Sequence, residues 1–223
     1  MLIPSIDLMG GKIVQLVQGE KKALEFDDFE YWIERFSSYP LVQLIDLDAA
    51  MGRGSNRELI AMICNRLPCQ TGGGIRDVAR ARDLLALGAK RVIFGSALLK
   101  NGAINTALAA EAERTLGIDH LTFAIDSRRG KVAIKGWKES TSVDPKDMVR
   151  ALDPYCSAFL YTHIDTEGTM TGFPMEIAQE LAGLTRKQMI VAGGIRSRAE
   201  VDELDAIGVD AVVGMAIYTG AMQ

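Results

Sequence analysis

The sequence repeats itself, and segments of its first half recur in its second half at an almost constant distance. The matching segments, 119 or 120 residues apart, are Ile6-Asp7 with Ile125-Asp126, Gly11–Val14 with Gly130–Ala133, Gly73–Arg76 with Gly193–Arg196, and Leu87–Ile93 with Ile207–Val213. Several matches at one distance indicate two copies of one structural unit. The fold must therefore be one that two equal halves can build.

Each half contains four short apolar runs that alternate with helix-like stretches. The predicted strands are Leu2–Leu8, Leu41–Leu47, Cys69–Thr71, Arg91–Gly95, Leu121–Ile125, Ala158–Thr162, Gln188–Ala192 and Ala211–Gly214. The predicted helices lie near Asp27–Phe36, Asn56–Arg66, Val78–Leu87, Asn101–Thr115, Pro145–Leu152, Pro174–Leu181 and Ser197–Ala206. Near-continuous apolar strands separated by helices are typical of a parallel sheet that is covered on both faces.

Eight strand–helix units fit either a closed barrel or a doubly wound open sheet. Because a group of four units occurs twice, we predict an α/β fold, a (βα)8 TIM barrel made of two repeated (βα)4 half-barrels. The length of 223 residues suits one such domain, residues 1–223, with half-barrels at about 1–117 and 118–223. Only Met215–Gln223 follow the last predicted strand, so we expect the closing helix to be short or missing.

Composition excludes several classes of function. The net charge of −4 offers no basic field for a nucleic-acid backbone, and no apolar run is long enough to span a membrane. Cys64, Cys69 and Cys156 show no CxxC spacing, which favours reduced thiols in a cytoplasmic protein. Neither histidine, His120 or His163, is expected to be catalytic, and no Cys/His/Glu grouping predicts a metal site. Acid–base catalysis would therefore depend on carboxyl groups.

Glycine clusters follow the predicted third and seventh strands, at the end of the barrel where active sites of this fold lie. Glycine lets a backbone approach a ligand closely, and a helix beginning near Asp77 would add partial positive charge. We therefore predict a phosphate site in each half. The predicted phosphate-binding residues are Gly73, Gly74, Arg76, Gly95 and Ser96 in the first half, and Gly193, Gly194 and Gly214 in the second. Alternatively, both clusters are tight turns in which glycine serves backbone geometry alone.

Carboxyl side chains are predicted to lie between these two phosphate sites. Two such sites on opposite sides of one barrel mouth suggest a long substrate that carries a phosphate at each end. The repeat places Asp7 and Asp126 between them, and paired carboxyls with separated pKa values perform general acid–base catalysis. Alternatively, each aspartate caps a strand end or pairs with a lysine. After the sixth strand, Thr162 and Glu167 could orient a substrate hydroxyl or supply a proton.

Short motifs distributed over the whole chain form a specific set. They are Ile3–Leu8, Gly11-Lys12, Val17–Gly19, Asp46–Asp48, Gly72–Arg76, Asp126, Gly136-Trp137, Tyr161-Thr162, Gly168-Thr169, Gly193-Gly194 and Ala216–Tyr218. As a set they resemble the ProFAR isomerase family of histidine biosynthesis. The resemblance implies a (βα)8 barrel and an Amadori rearrangement that converts the aminoaldose ProFAR into the aminoketose PRFAR. It implies no cofactor and no metal, and a diphosphorylated ribose as substrate. We expect a cytoplasmic monomer that binds neither nucleic acid nor membrane.

The same resemblance implies roles for individual residues. Asp7 matches the catalytic base, Asp126 matches a second essential aspartate, and Thr162 matches a residue that positions the substrate. Glu167 stands where the family usually has the aspartate of an RDGT segment and is one methylene longer. Asp126 and Glu167 therefore both remain candidates for the general acid. The implied substrate-binding residues are Gln18, Gly19, Asp48, Arg53 and Trp137.

Three other functions are compatible with parts of the sequence. The related cyclase barrel of the next pathway step has a lysine eight residues after its first aspartate, where this chain has Gln15. Bifunctional relatives that also isomerise phosphoribosyl anthranilate have a second-strand loop like Asp46–Asn56; there Arg53 would meet the anthranilate carboxylate and Trp137 would stack on its ring. A non-catalytic phosphosugar-binding protein would keep both phosphate sites but would not turn over substrate. The glutamate at position 167, where the family usually has an aspartate, motivates this alternative.

Overall fold

A computed structural model describes residues 1–222, and Gln223 lies outside the described residues. The strands of the described part are β1 Leu2–Met9, β2 Lys12–Val17, β3 Lys21–Phe26, β4 Val42–Asp46, β5 Cys69–Gly72, β6 Arg91–Phe94, β7 Leu99–Lys100, β8 Ala103–Ile104, β9 Leu121–Arg128, β10 Lys131–Ile134, β11 Glu139–Ser140, β12 Ala158–His163, β13 Gln188–Ala192 and β14 Val209–Val213. The α-helices are α1 Phe29–Phe36, α2 Leu47–Met51, α3 Arg57–Cys64, α4 Val78–Ala86, α5 Thr106–Leu116, α6 Pro145–Leu152, α7 Met175–Ala182, α8 Arg198–Ala206 and α9 Met215–Tyr218. In this part of the chain no helix is long and apolar enough to cross a membrane.

Eight of these strands close into a parallel barrel. Their order around the barrel is β1, β4, β5, β6, β9, β12, β13 and β14, and β14 pairs with β1. Every predicted strand is a barrel strand, so the prediction of a (βα)8 barrel is confirmed. The boundary predicted near residue 117 between two half-barrels remains a prediction.

Apolar residues form two layers because successive strand residues point to opposite faces. Leu2, Ile6 and Leu8 of β1 pack with helix residues in the larger outer cluster. Ile3 belongs to a smaller cluster that lies inside the barrel. All members of this cluster are residues of the strands or residues next to them. Since Ser5 and Asp7 share the face of Ile3, β1 directs both of them into the barrel.

Antiparallel hairpins that the sequence analysis did not predict extend the barrel in both halves. The strand β1 continues into the pair β2–β3, and β9, its counterpart in the repeat, continues into the pair β10–β11. The repeat thus includes an extended loop after the first strand of each half. Both loops rise from the end of the barrel at which Asp7 and Asp126 lie.

The closing helix α9 has four residues, as the short tail predicted. Its Tyr218 covers the seam between β14 and β1 together with two aromatic residues from the first unit. The ring centroids of Tyr218 and Trp32 are 4.2 Å apart, and those of Tyr218 and Phe26 are 5.3 Å apart. The Tyr218 hydroxyl donates to the carbonyl oxygen of Ser5 at 3.0 Å, so α9 is attached directly to β1.

Polar groups join the strands at the opposite end of the barrel. Arg91 at the start of β6 donates to the side chain of Gln188 at 2.6 Å, and Gln188 donates to Asp210 of β14 at 2.5 Å. Asp210 also accepts from the terminal amine of Met1 at 2.7 Å. These contacts belong to the end that supports stability in this fold and leave the other end for chemistry.

Candidate active site

Asp7 lies near the end of β1 on the interior face of the barrel. Its carboxyl is half-buried, and its Oδ1 accepts a hydrogen bond from the Ser5 hydroxyl at 3.0 Å. Burial raises the pKa of Asp7 to about 6, and the hydrogen bond from Ser5 opposes this rise because it stabilises the anion. At neutral pH Asp7 is therefore mostly ionised yet basic enough to accept a proton.

Asp126 lies on β9, which is four strands from β1 in either direction around the barrel. The two aspartates therefore occupy opposite walls, as the repeat predicted. Thr162 of β12 is the register partner of Asp126 and is 7% exposed. Burial raises the pKa of Asp126, and hydrogen bonds from the side chains of Trp137 and Thr162 act in the opposite direction. Asp126 and Thr162 thus lie side by side on neighbouring strands at the barrel mouth.

Glu167 enters the same space from the loop that follows β12. Its Oε2 is buried and has no hydrogen-bond partner among the described residues. Burial, together with the negative charges of Asp7 and Asp126, raises the pKa of Glu167 to about 8, although backbone N–H groups of Gln18 and Gly19 oppose the rise. At neutral pH Glu167 is therefore protonated beside an ionised Asp7, which is the arrangement that an acid–base pair needs.

Three loops meet over this group of carboxyls, at two glycines. Gly168 (φ 71°) follows Glu167, and a Cβ there would collide with the carbonyl oxygen of Leu16 in β2. A Cβ on Gly19, in the turn between β2 and β3, would lie 2.6 Å from the Trp137 ring. The loops after β1, β9 and β12 thus touch one another above the mouth. The Trp137 ring packs against Gly19, and its predicted stacking on a substrate ring stays a prediction.

The two glycine turns have the same geometry in both halves. Gly73 (φ 104°) follows β5, and a Cβ on it would collide with the carbonyl oxygen of Asp46 at the end of β4. Gly193 (φ 110°) follows β13 and stands in the same relation to His163 at the end of β12. Both turns therefore require glycine for backbone geometry. The predicted phosphate sites, one per half, remain predictions that this geometry is compatible with.

The helix predicted to begin near Asp77 begins there, at Val78 with Asp77 as its N-cap, and the partial positive charge that it would add to the first glycine turn stays a prediction. The Asp77 carboxylate caps α4 itself by accepting from the backbone N–H of Arg80 at 2.8 Å. Ser197 caps α8 in the second half in the same way. The short helices that begin after Gly95 and Gly214 have no side-chain cap, so no side chain accepts a hydrogen bond from their first N–H groups.

The surroundings of the two predicted phosphate sites differ. A cavity of about 550 Å³ adjoins the first site and is lined by Arg76, Ser96 and Lys100 among others. In the second half the loop after β12 lies over the turn, since the backbone N–H of Gly172 donates to the carbonyl oxygen of Gly194 at 2.9 Å. The first site is therefore open to solvent, whereas the second is covered by the loop that carries Glu167.

Other residues predicted to bind substrate hold loops together in this structure. Gln18 donates from its side chain to the carbonyl oxygen of Asp165 at 2.9 Å. Asp48 accepts from the backbone N–H of Gly10 at 2.6 Å and from the side chain of Asn56 at 2.9 Å. Arg53 is exposed at the rim. Contacts of these residues with a substrate stay predictions.

His163 and His120 have positions that fit structural roles. His163 Nδ1 lies 2.8 Å from the Thr166 hydroxyl, its ring packs against Phe173, and its Nε2 lies 3.7 Å from the Asp165 carboxylate. His120 is exposed at the start of β9, at the other end of the barrel. In residues 1–222, no group of three or more His, Cys, Asp or Glu side chains is arranged to hold a metal ion.

Sequence reasoning did not identify Ser5 or Tyr218 as part of the site. The signal for Ser5 was available, because it lies two residues before Asp7 on one strand and so shares its face. Tyr218 is separated from Ser5 by 213 positions, and only the closure of the barrel brings them together.

The closed (βα)8 barrel, with three buried carboxyls at the end where this fold has its active sites, is the architecture of a (βα)8-barrel enzyme. The sequence model of the family described as histidine biosynthesis protein matches residues 1–223. The chain belongs to this family.

Curated relatives align with the chain over nearly its whole length. A relative from Methanocaldococcus jannaschii is 34% identical over 99% of this chain and 94% of its own length. One from Archaeoglobus fulgidus is 36% identical over 98% and 92%, and one from Thermus thermophilus is 34% identical over 100% and 96%. All three are named 1-(5-phosphoribosyl)-5-((5-phosphoribosylamino)methylideneamino) imidazole-4-carboxamide isomerase. The resemblance to ProFAR isomerases is thereby confirmed.

Proposed function

We propose that this chain catalyses the reaction for which its relatives are named, the Amadori rearrangement of ProFAR to PRFAR in histidine biosynthesis. The observation that carries the proposal is the pair formed by Asp7, with a pKa of about 6, and Glu167, with a pKa of about 8. At neutral pH this pair supplies one base and one acid in the same barrel mouth. An aldose–ketose isomerase needs both at once.

The reaction begins with proton transfer to the ring oxygen of the aminoaldose. Glu167 gives its proton to this oxygen, the ring C–O bond breaks, and the electron pair of the amino nitrogen forms a protonated Schiff base. Asp7 then takes the proton from C2′, and the electrons of that C–H bond move to the imine and leave an enaminol. Asp7 then returns its proton to C1′, the C2′ hydroxyl gives its proton back to Glu167 as the C2′=O bond forms, and both carboxyls regain their starting states without any external oxidant.

Glu167 fits the role of the acid better than Asp126 does. Its Oε2 is buried without a partner, whereas Asp126 receives hydrogen bonds from Trp137 and Thr162, which favour the ionised form. Asp126 and Thr162 are then the groups that bind hydroxyls of the opened sugar chain. This assignment makes the one-methylene departure at Glu167 compatible with catalysis.

The substrate is proposed to lie across the mouth, with one phosphate at each glycine turn. The first turn, beside Arg76 and Ser96, is open, and the second is covered by the loop after β12. The reacting ribose would then lie between the two turns, above Asp7 and Asp126. No cofactor takes part in these steps, since the carboxyl groups supply every proton transfer.

The proposal is tested by following absorbance when the purified chain is mixed with ProFAR and, separately, with phosphoribosyl anthranilate. We expect turnover of ProFAR. Turnover of the second compound as well would establish the bifunctional alternative, and product formation from PRFAR and ammonia would establish the cyclase. Tight binding of ProFAR without turnover over a long incubation would contradict the proposal and favour a non-catalytic binding protein.

The substitution Asp7→Asn tests whether Asp7 is the base of this reaction. Asp7→Asn should abolish turnover while it leaves the binding of a phosphorylated ligand nearly unchanged, because the amide has the same shape and cannot accept the C2′ proton. Asp119→Asn, at an exposed position of the other end of the barrel, is the control and should keep full activity. Substantial isomerase activity in Asp7→Asn would defeat the assignment of the base.

We also propose that the enzyme acts in the cytoplasm as a monomer. The support for this compartment is that Cys64, Cys69 and Cys156 are free thiols in the structure, as in proteins of reducing compartments. Sedimentation of the purified chain measures the oligomeric state, and a mass that corresponds to a dimer would contradict the proposal of a monomer.

A further inference from the structure

The Ser5 hydroxyl is a direct neighbour of the Asp7 carboxyl, the proposed base. Ser5 is 5% exposed and lies on β1 with its side chain on the interior face, like that of Asp7. Its Oγ donates to Asp7 Oδ1 at 3.0 Å. A hydrogen bond donated to a carboxylate favours the ionised form and restricts the rotation of the carboxyl group.

The backbone of Ser5 is fixed from outside the strand. The Tyr218 hydroxyl of α9 donates to the Ser5 carbonyl oxygen at 3.0 Å. Tyr218 is 8% exposed and packs against the rings of Trp32 and Phe26. The last helix therefore supports the strand segment from which the Ser5 hydroxyl reaches Asp7.

We propose that Ser5 is a positioning residue for the base: its hydroxyl keeps the Asp7 carboxylate ionised and in one orientation, and Tyr218 holds Ser5 in place. This inference rests on the proposed function, in which Asp7 removes the C2′ proton. It assigns to Ser5 a role in the same reaction although Ser5 itself does not touch the substrate.

Other ionisable groups around Asp7 act against the ionised form or are neutral. Glu167 approaches from the loop after β12, and its own pKa is raised by the charge of Asp7. Tyr218 faces Asp7 from α9, and Asp126 lies across the barrel. On the adjoining strands the register partners of Asp7 are Val14 of β2 and Ile45 of β4, both apolar. The Ser5 hydroxyl is thus the group that opposes the effect of burial on Asp7.

The first test is the pH dependence of kcat/KM for ProFAR, which reports the ionisation of the free enzyme. In Ser5→Ala the acid limb, which follows ionisation of Asp7, should move up by about half to one pH unit. Activity at pH 6 should then fall roughly two- to sixfold, by the ratio of ionised fractions. The alkaline limb, assigned to Glu167, should stay in place. An acid limb at its wild-type position in Ser5→Ala would overturn the proposal.

Two further variants separate this role from a general effect of removing a buried hydroxyl. Thr122→Val removes the hydroxyl of a fully buried residue of β9, which has no hydrogen-bond partner in the described chain, and should leave both limbs unchanged. Tyr218→Phe removes the bond that holds Ser5 and should move the acid limb in the same direction by a smaller amount. An equal displacement in Thr122→Val would also overturn the proposal.

The second test does not depend on turnover. The pKa of the Asp7 carboxyl can be followed by NMR in protein labelled with ¹³C-aspartate, with Asp7→Asn used to assign the signal. The proposal predicts a higher pKa of Asp7 in Ser5→Ala than in the wild type and in Thr122→Val. If the wild type failed to turn over ProFAR, the proposed function would fail, and this titration would still decide whether Ser5 stabilises the Asp7 anion.

Discussion

At the scale of single residues, Asp7 and Glu167 differ in the donors that reach their side chains. Ser5 donates to Asp7, whereas Oε2 of Glu167 is buried without a partner. Burial raises the pKa of both carboxyls, but to about 6 for Asp7 and to about 8 for Glu167. Two similar groups thereby acquire opposite protonation states at neutral pH, which separates a base from an acid.

Replacement of Glu167 tests this separation. Glu167→Gln cannot protonate the ring oxygen, so we expect kcat to fall by about 10²–10⁴-fold with little change in KM. Glu167→Asp keeps an acid and should retain turnover within about tenfold of the wild type, since it loses one methylene and keeps the proton. Steady-state kinetics with ProFAR measure both. A Glu167→Gln variant with more than a tenth of wild-type kcat would remove Glu167 from the role of the acid.

The sequence predicts part of the site at this scale. The repeat alone pairs Asp7 with Asp126 and places them on opposite walls, because equivalent strands of two half-barrels face each other. It cannot predict the protonation of Glu167, which depends on the fold of the loop after β12 over β2. Nor can it predict the contact of Ser5 with Tyr218, which requires closure of the barrel.

At the scale of elements, the loops after β1, β9 and β12 form the cover of the mouth. The barrel strands were predictable because they are continuous and apolar, whereas the hairpins β2–β3 and β10–β11 were not. β3 is largely exposed and begins with two lysines, so it lacks the apolar pattern that marks a strand. These strands form because β1 and β9 extend beyond the barrel and offer free backbone groups to pair with.

The contact of Gly168 with β2 gives a prediction for this cover. Gly168→Ala and Gly130→Ala both place alanine at a left-handed φ, 71° and 74°, so both carry a similar backbone cost of about 1–2 kcal/mol. Only at Gly168 would the new Cβ collide with Leu16, while Gly130 has open space around it. We expect kcat/KM to fall at least tenfold more in Gly168→Ala, because the loop that carries Glu167 is displaced. Equal kcat/KM values in the two variants would show that the contact between Gly168 and Leu16 does not contribute to catalysis.

At the scale of the whole molecule, the barrel holds carboxyls in a place where their ionisation costs stability. The pKa of Glu167 rises from an ordinary 4.5 to about 8 on folding, so the folded protein binds more protons than the unfolded chain between these values. Its contribution is therefore fully present below pH 4.5 and is lost as pH rises through 8. Asp7, raised from 3.8 to about 6, acts in the same direction at lower pH.

It follows that Glu167→Gln should be more stable relative to the wild type at pH 9 than at pH 5. The glutamine carries no charge at either pH and avoids the buried anion. Urea unfolding at both pH values measures the difference, and Glu203→Gln, at an exposed position of α8, serves as the control with no such dependence. A stability difference between the variant and the wild type that is the same at pH 5 and pH 9 would show that folding does not raise the pKa of Glu167.

The most direct test of the acid–base pair is the pH profile of kcat/KM for ProFAR in the wild type and in Glu167→Gln. We predict a bell-shaped wild-type profile that rises near pH 6 with ionisation of Asp7 and falls near pH 8 with ionisation of Glu167. In Glu167→Gln the residual activity should keep the rise near pH 6 and lose the fall at higher pH. A fall near pH 8 that persists in this variant would contradict the assignment of Glu167 as the acid.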